Sequence, residues 1–167
     1  KNNTTLENVI IQERNGEGVE YIGGSAFESC KNLKSINLPD TITYIGASAF
    51  RFDSNLDNIK LPKNLRELSQ FAFGNCSSLK NIKLSEKLEF LGDQSLRSIG
   101  ITSLKLPANL KTIGEGALLI STLQEIDTSE SNYFEFKNGI LYSKDLKTLV
   151  MALSNVTSIN IENSTET

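Results

Sequence analysis

The chain has 167 residues and a net charge of −3, and it contains no histidine and no tryptophan. The lack of histidine removes the usual general base, the usual zinc ligand and every Ser-His-Asp or Cys-His arrangement. No basic block suited to a phosphate backbone is present, and no apolar run approaches the roughly 20 residues of a membrane span. We therefore expect no enzymatic activity, no cofactor, no metal, no nucleic-acid partner and no membrane insertion by this segment.

The first residues, 1–17, contain an incomplete hydrophobic pattern and then a loop. Leu6, Val9 and Ile11 are spaced like part of a repeat, and the polar stretch that follows them predicts a longer loop. The chain starts at Lys1 with neither an initiator methionine nor a signal-peptide pattern. We expect that the chain has been trimmed, by processing or by the choice of its ends.

Residues 18–128 repeat one set of apolar positions about every 22–23 residues. A unit of this length cannot bury its own apolar face, so neighbouring copies must stack on a shared core. The sequence predicts a solenoid of about five to six rungs, each rung being one repeat. The spacing shortens by one residue before Ile101 and again before Leu123. The clearest copy consists of Leu33, Ile36, Leu38, Pro39, Ile42, Ile45, Gly46, Ala49 and Phe50.

Each rung has the same predicted internal order. Ile36 and Leu38 alternate with polar residues, which predicts a short strand of a parallel sheet, and Pro39 ends that strand. A second apolar pair leads to a glycine such as Gly46, where we expect a tight corner with positive φ. A small residue and an aromatic residue then pack inward, and residues such as 74–76 predict a brief helical turn. The expected class is α/β, with mostly short parallel strands.

Residues 129–152 interrupt the repeat with a different signal. Three short apolar runs at 133–136, 140–142 and 147–150 predict strands, and Asn138-Gly139 between the first two is a typical hairpin turn. We interpret this segment as a small β-meander inserted between rungs.

The final segment, 153–167, resumes the repeat only in part. Val156, Ile159 and Ile161 match its apolar positions, and the polar tail 163–167 has a composition that cannot hold a core. We expect all of 1–167 to form a single domain.

The two cysteines occupy the same position in different repeats. Cys30 and Cys76 lie two rungs apart, which at a strand spacing of about 4.8 Å exceeds the reach of a disulfide. Asp53 fills the same position in the rung between them, which argues against a metal pair. We expect two buried free thiols that act as small hydrophobic side chains.

The outward-facing strand positions form columns along the stack, where a solenoid presents its recognition chemistry. We name the most charged column the lysine column, and expect either a solvated face or a basic stripe for an acidic glycan or protein. A second column, the aromatic column, contains rings that either stack on sugars or cover their own rung. The lysine column consists of Asn37, Lys60, Lys83, Lys105 and Asp127. The aromatic column consists of Tyr21, Tyr44, Glu67, Phe90 and Thr112.

The repeat resembles the BspA-like, or Treponema pallidum-type, leucine-rich repeat. The resemblance lies in copies such as 32–50 and 78–92 and covers about residues 18–128; the segment 132–145 is similar to one that often interrupts such arrays. It departs from the family pattern at Ser69 and Ser85, which replace the usual glycine and proline. It implies a secreted or surface-anchored protein of bacteria or some protozoa, with adhesion as a role for some members, and it carries no catalytic residue.

Two functions remain open from the sequence. The first is an adhesive, non-catalytic binding module whose ligand is a host or neighbouring-cell protein or glycan, with the lysine column as its candidate site. The alternative is a structural spacer within a larger surface protein. The paired acids Glu17/Glu20 and Glu125/Asp127 suggest a glycosidase site or a calcium site, but no aspartate-rich loop or aromatic cleft accompanies them.

Overall fold

The structure, a computed structural model, describes residues 1–15 and 17–158. The rungs stack into a solenoid with two lengthwise parallel sheets, which confirms the predicted leucine-rich-repeat architecture. The first sheet is β1-β3-β5 and, after an interruption, β8-β10. Its strands are β1 (Asn8–Ile10), β3 (Ser35–Asn37), β5 (Asn58–Lys60), β8 (Ser103–Lys105) and β10 (Glu125–Asp127).

The second sheet is continuous, with the order β2-β4-β6-β7-β9. Each of its strands is only two residues long, and the inner residue of each packs toward the core. The strands are β2 (Tyr21–Ile22), β4 (Tyr44–Ile45), β6 (Glu67–Leu68), β7 (Phe90–Leu91) and β9 (Thr112–Ile113).

The core runs the length of the stack between these sheets. Phe27, Phe50 and Phe73 come from three successive rungs, and their rings stack with centroids 5.3 and 5.0 Å apart. Leu96 and Leu118 take over the same position in the later rungs and are also buried. At this position side chains of similar size and polarity therefore meet in successive rungs, and each rung completes the interior of its neighbour.

The third side of the solenoid differs from the brief helical turns expected there, since the described residues contain no helix. The N–H groups of Ser25, Phe27 and Ser29 each donate to a carbonyl of the next rung at 2.8 Å. The N–H groups between them donate to the carbonyl three residues back. Every second backbone N–H group of this segment thus forms a hydrogen bond to the next rung. These N–H groups are not available for the bonds to the carbonyl four residues back that an α-helix requires.

The predicted reason for glycine at the corners, a positive φ, was wrong. Gly46 and Gly92 do not have positive φ; the left-handed residues lie two positions later, at Ser48 and Gln94. Glycine is required at Gly46 because a Cβ there would lie 2.7 Å from the backbone nitrogen of Gly24 in the preceding rung. Close backbone approach therefore explains glycine at Gly46, and also at Gly92, where a Cβ would lie 2.6 Å from the backbone nitrogen of Gln70.

Residues 134–152 form a three-stranded antiparallel sheet of the kind predicted for this segment. Its strands are β11 (Phe134–Lys137), β12 (Ile140–Ser143) and β13 (Leu149–Ala152). Phe134 and Leu141 are buried and belong to the same core as the rungs, so this sheet is packed onto the solenoid. Val156 packs against the core, whereas Ile159, Ile161 and the tail 163–167 lie outside the described residues.

Candidate functional site

The structure divides the lysine column into two pairs. Asn37 and Lys60 are register partners on β3 and β5, and Lys105 and Asp127 are register partners on β8 and β10. Lys83, between the pairs, is not in a strand. The column is therefore not the unbroken row of side chains that the repeat spacing suggested.

Lys105 is already paired. Its Nζ lies 2.7 Å from a Glu130 carboxylate oxygen, and this hydrogen bond, with the charges of Glu130 and Asp127, raises the pKa of Lys105. The pKa of Asp127 is lowered, mainly by hydrogen bonds from Ser129 and further by the charge of Lys105. Glu130 lies outside the repeated strand positions, so the repeat pattern does not predict that it pairs with Lys105. This end of the column has little free positive charge.

The first sheet is interrupted at residues 81–84, where the repeat predicts a strand. Asn58 and Asn81 form a single bridge, and among the described residues no ladder joins residues 82–84 to β5 or β8. Ile82 is half-buried, whereas its counterparts Ile59 and Leu104 are almost fully buried. The inner face of this rung is thus partly open.

The interruption lies next to a change in the repeat spacing. The rung at 79–84 follows a connection of the ordinary length, whereas the rung that starts at Ile101 follows one that is shorter by one residue. The Gly100 N–H donates to the Leu79 carbonyl at 2.8 Å and fixes this shorter connection against the rung before it. Spacing alone does not separate strands, since β8 and β10, and likewise β7 and β9 in the second sheet, are 22 residues apart and stay paired.

A groove of about 740 Å³ opens at the interruption, between β5 and β8. We call it the basic groove, because five lysines and a single glutamate line it. Its apolar lining, which we call the floor, includes the half-buried Ile82, and no aromatic ring lines it. The charged residues are Lys60, Lys63, Lys80, Lys83, Lys87 and Glu86. The repeat pattern predicts a strand at this place, so the sequence did not indicate this groove.

The aromatic column lies on the second sheet, with its five members on five successive strands. The rings of Tyr21 and Tyr44 are 6.2 Å apart and tilted by 57°. Glu67 separates them from Phe90. Only the two tyrosines therefore form a neighbouring aromatic pair.

The core position shared by the cysteines contains the most perturbed titratable groups. Cys30 and Cys76 are free and buried, which confirms the thiol prediction, and Cys76 Sγ donates to the Phe50 carbonyl at 2.9 Å. Burial, together with the nearby Asp53, raises the pKa of the Cys76 thiol. Asp53 is itself fully buried; one of its carboxyl oxygens accepts the Cys30 N–H at 2.7 Å and the other has no hydrogen-bond partner.

The paired acids do not assemble into a metal site in the part of the chain that is described. Glu125 and Asp127 lie on one strand, and no cluster of three or more metal-ligating side chains occurs among the residues 1–15 and 17–158. The same residues include no helix with the length and apolar character needed to cross a membrane.

Short parallel strands repeated in two sheets around a continuous hydrophobic core define a leucine-rich-repeat solenoid. The chain belongs to the BspA type leucine rich repeat family, whose sequence model matches residues 1–117 and 45–164 in 6 copies. No curated protein matches the chain.

Solved leucine-rich repeat proteins share this fold. The protein from T. pallidum is 29% identical with a TM-score of 0.68, over 72% of this chain and 58% of that chain. A protein from Bacteroides ovatus is 24% identical with a TM-score of 0.65, over 72% of this chain and 33% of that chain. One from Eubacterium ventriosum is 20% identical with a TM-score of 0.67, over 83% and 36%. The chain therefore spans less than two thirds of each of these proteins.

Proposed function

We propose that this chain is a non-catalytic binding module, secreted or displayed at a cell surface, that adheres to a protein or glycan of a host or neighbouring cell. Its repeat residues are used for the core and the corners, which leaves the outward positions free for recognition. Membership of the BspA-type family supports a location outside the cell.

The observation that carries the proposal is a concentration of positive charge on an acidic protein. The whole chain has a net charge of −3, yet five lysines and one glutamate meet in the basic groove. Like charges gathered on one surface repel each other, and their attraction for a ligand of opposite sign offsets that cost. We place the ligand surface on the lysine column, Asn37, Lys60, Lys83, Lys105 and Asp127, with its centre at Lys83.

An array of glycans and matrix proteins, probed at low and physiological salt, tests this proposal. We expect binding that weakens with salt, and a roughly tenfold loss of affinity in Lys83→Glu. Lys105→Glu is the matched control, because Glu130 already neutralises Lys105 at 2.7 Å, and we expect a smaller loss there.

Other outcomes would change the assignment. If the wild-type chain binds nothing on the array, the structural spacer that the sequence left as the alternative becomes the favoured function. If a ligand binds and neither charge reversal alters its affinity, the lysine column is a solvated face. The tyrosine pair of the aromatic column is then the next candidate.

A further inference from the structure

The edge of β8 that faces the interruption carries unpaired backbone groups. On its other edge, the Thr102 carbonyl and the Leu106 N–H bond to groups of β10 at 3.3 and 2.9 Å. Because backbone groups alternate in direction along a strand, those of Ser103 and Lys105 point toward the interruption. No described strand pairs with them there. An open strand edge of this kind is a template for another extended chain.

The charges beside this edge select an acidic partner. Lys60 and Lys80 have no carboxylate at salt-bridge distance among the described residues. Lys83 has only Glu86, at 3.8 Å, in a pair whose side chains are both largely exposed. Such exposed pairs contribute little, so these ammonium groups remain free to bind carboxylates.

We propose that the basic groove binds an extended acidic peptide segment of a partner protein, which adds to the edge of β8 as a strand. This inference rests on the proposed binding function and names the ligand class. Main-chain pairing suits a peptide and not a sugar, and the groove lacks the aromatic rings that stack on sugars. A strand's side chains alternate, so a peptide of alternating acidic and apolar residues reaches both the lysines and the floor at Ile82.

The test measures binding of a blocked peptide of alternating glutamate and valine, about eight residues long, by fluorescence anisotropy. Two variants probe the two contacts. Lys80→Glu/Lys83→Glu reverses the charge, and Ser103→Pro removes an N–H on the free edge while leaving the bonds to β10. We expect each to weaken binding about tenfold or more. Lys31→Glu/Lys137→Glu, outside the groove, is the control for net charge and should keep most of the affinity.

A second peptide isolates main-chain pairing. The same sequence, N-methylated at alternate residues, keeps its charge but loses its strand donors, and we expect it to bind at least tenfold more weakly. Thermal melts check that each variant folds. Lys80→Glu/Lys83→Glu alters only exposed side chains, so it keeps the test valid if Ser103→Pro does not fold.

The outcomes separate this inference from the function it rests on. Equal binding of both peptides, or no effect of Lys80→Glu/Lys83→Glu, would overturn strand addition in the basic groove. Binding of a polyuronate oligosaccharide without binding of either peptide would overturn the peptide assignment and leave the binding module standing. If these probes and the array both give no ligand, the proposed function fails and this inference fails with it.

Discussion

Asp53 is a carboxyl group that the fold encloses completely. Burial raises its pKa from 3.8 to about 8, against the opposing effect of the hydrogen bond from the Cys30 N–H. Between about pH 4 and pH 8, the Asp53 carboxyl group therefore keeps its proton in the folded state, whereas in the unfolded state it has lost that proton. The resulting stability is fully present below about pH 4 and is lost progressively as the pH rises toward 8.

Replacing the Asp53 carboxyl group with a neutral amide gives the first prediction for a single residue. In Asp53→Asn the side chain keeps its acceptor for Cys30 but does not titrate, so unfolding of the variant does not release this proton. Between about pH 4 and pH 8, wild-type stability relative to the variant should fall by up to about 1.4 kcal/mol per pH unit. Urea melts of both proteins across this range provide the measurement, and parallel curves would show that Asp53 is ionised in the folded state.

Phe50 is the central ring of the stacked aromatic positions and is fully buried. Phe50→Ala leaves a cavity between Phe27 and Phe73, and we expect it to lower the free energy of unfolding by about 3–5 kcal/mol. Asn58→Ala, at an exposed position of β5, should change it by less than about 0.5 kcal/mol. Similar urea midpoints for the two variants would contradict the assignment of inward and outward positions.

At the scale of the repeated element, the corner glycines depend on the rung below them. A Cβ at Gly46 would lie within 2.9 Å of three backbone atoms of the preceding rung, whereas at Gly23, in the same slot, it would meet no atom within 4 Å. Neither glycine has positive φ, so alanine is not strained by its backbone angles alone. Comparing alanine at Gly46 with alanine at Gly23 therefore separates the effect of steric contact from that of the backbone's conformational preference.

We expect Gly46→Ala to destabilise the protein by about 1–3 kcal/mol, because the preceding rung must shift to accept the methyl group. Gly23→Ala should be close to neutral. Thermal or urea melts of the pair are the measurement. A loss of similar size in both would point to the corner's conformation instead of the stacking distance.

At the scale of the whole molecule, the two sheets differ in continuity. The second sheet runs through five rungs without a break, while the first is interrupted at residues 81–84, where the described residues form only the Asn58–Asn81 bridge. Because each rung contacts only its neighbours, local stability follows local pairing. The groove therefore lies at a weak point on one side of an otherwise continuous stack.

Hydrogen exchange gives a direct test of this difference. The amides of residues 82–84 lack ladder bonds and should exchange much faster than that of Phe50, which donates to the Ala72 carbonyl at 2.8 Å. Exchange measured by NMR on the native protein resolves these sites. Equal protection in the two places would mean that the strand at 82–84 is paired in solution.

The sequence by itself determined the solenoid, its core and the burial of its thiols. These follow from the repeat spacing, because the same positions point inward in each rung and pack against the neighbouring rungs. Ile36, Ile59 and Leu104 were placed correctly on the inner face for this reason. The reason for glycine at Gly46 could not be predicted, since it depends on a backbone distance between rungs and not on the residue's own φ.

The tertiary structure alone decided what the outward surface presents. The repeat placed Lys60, Lys83 and Lys105 in one row, but Lys83 lies outside the strands of the first sheet, and Glu130 pairs with Lys105. The Glu130 pairing comes from a residue outside the repeated positions, and the missing strand at 82–84 is a departure from the repeat's own geometry; a periodic pattern predicts neither. Periodicity fixes the interior because every rung obeys it, whereas the surface depends on the places where the rungs differ.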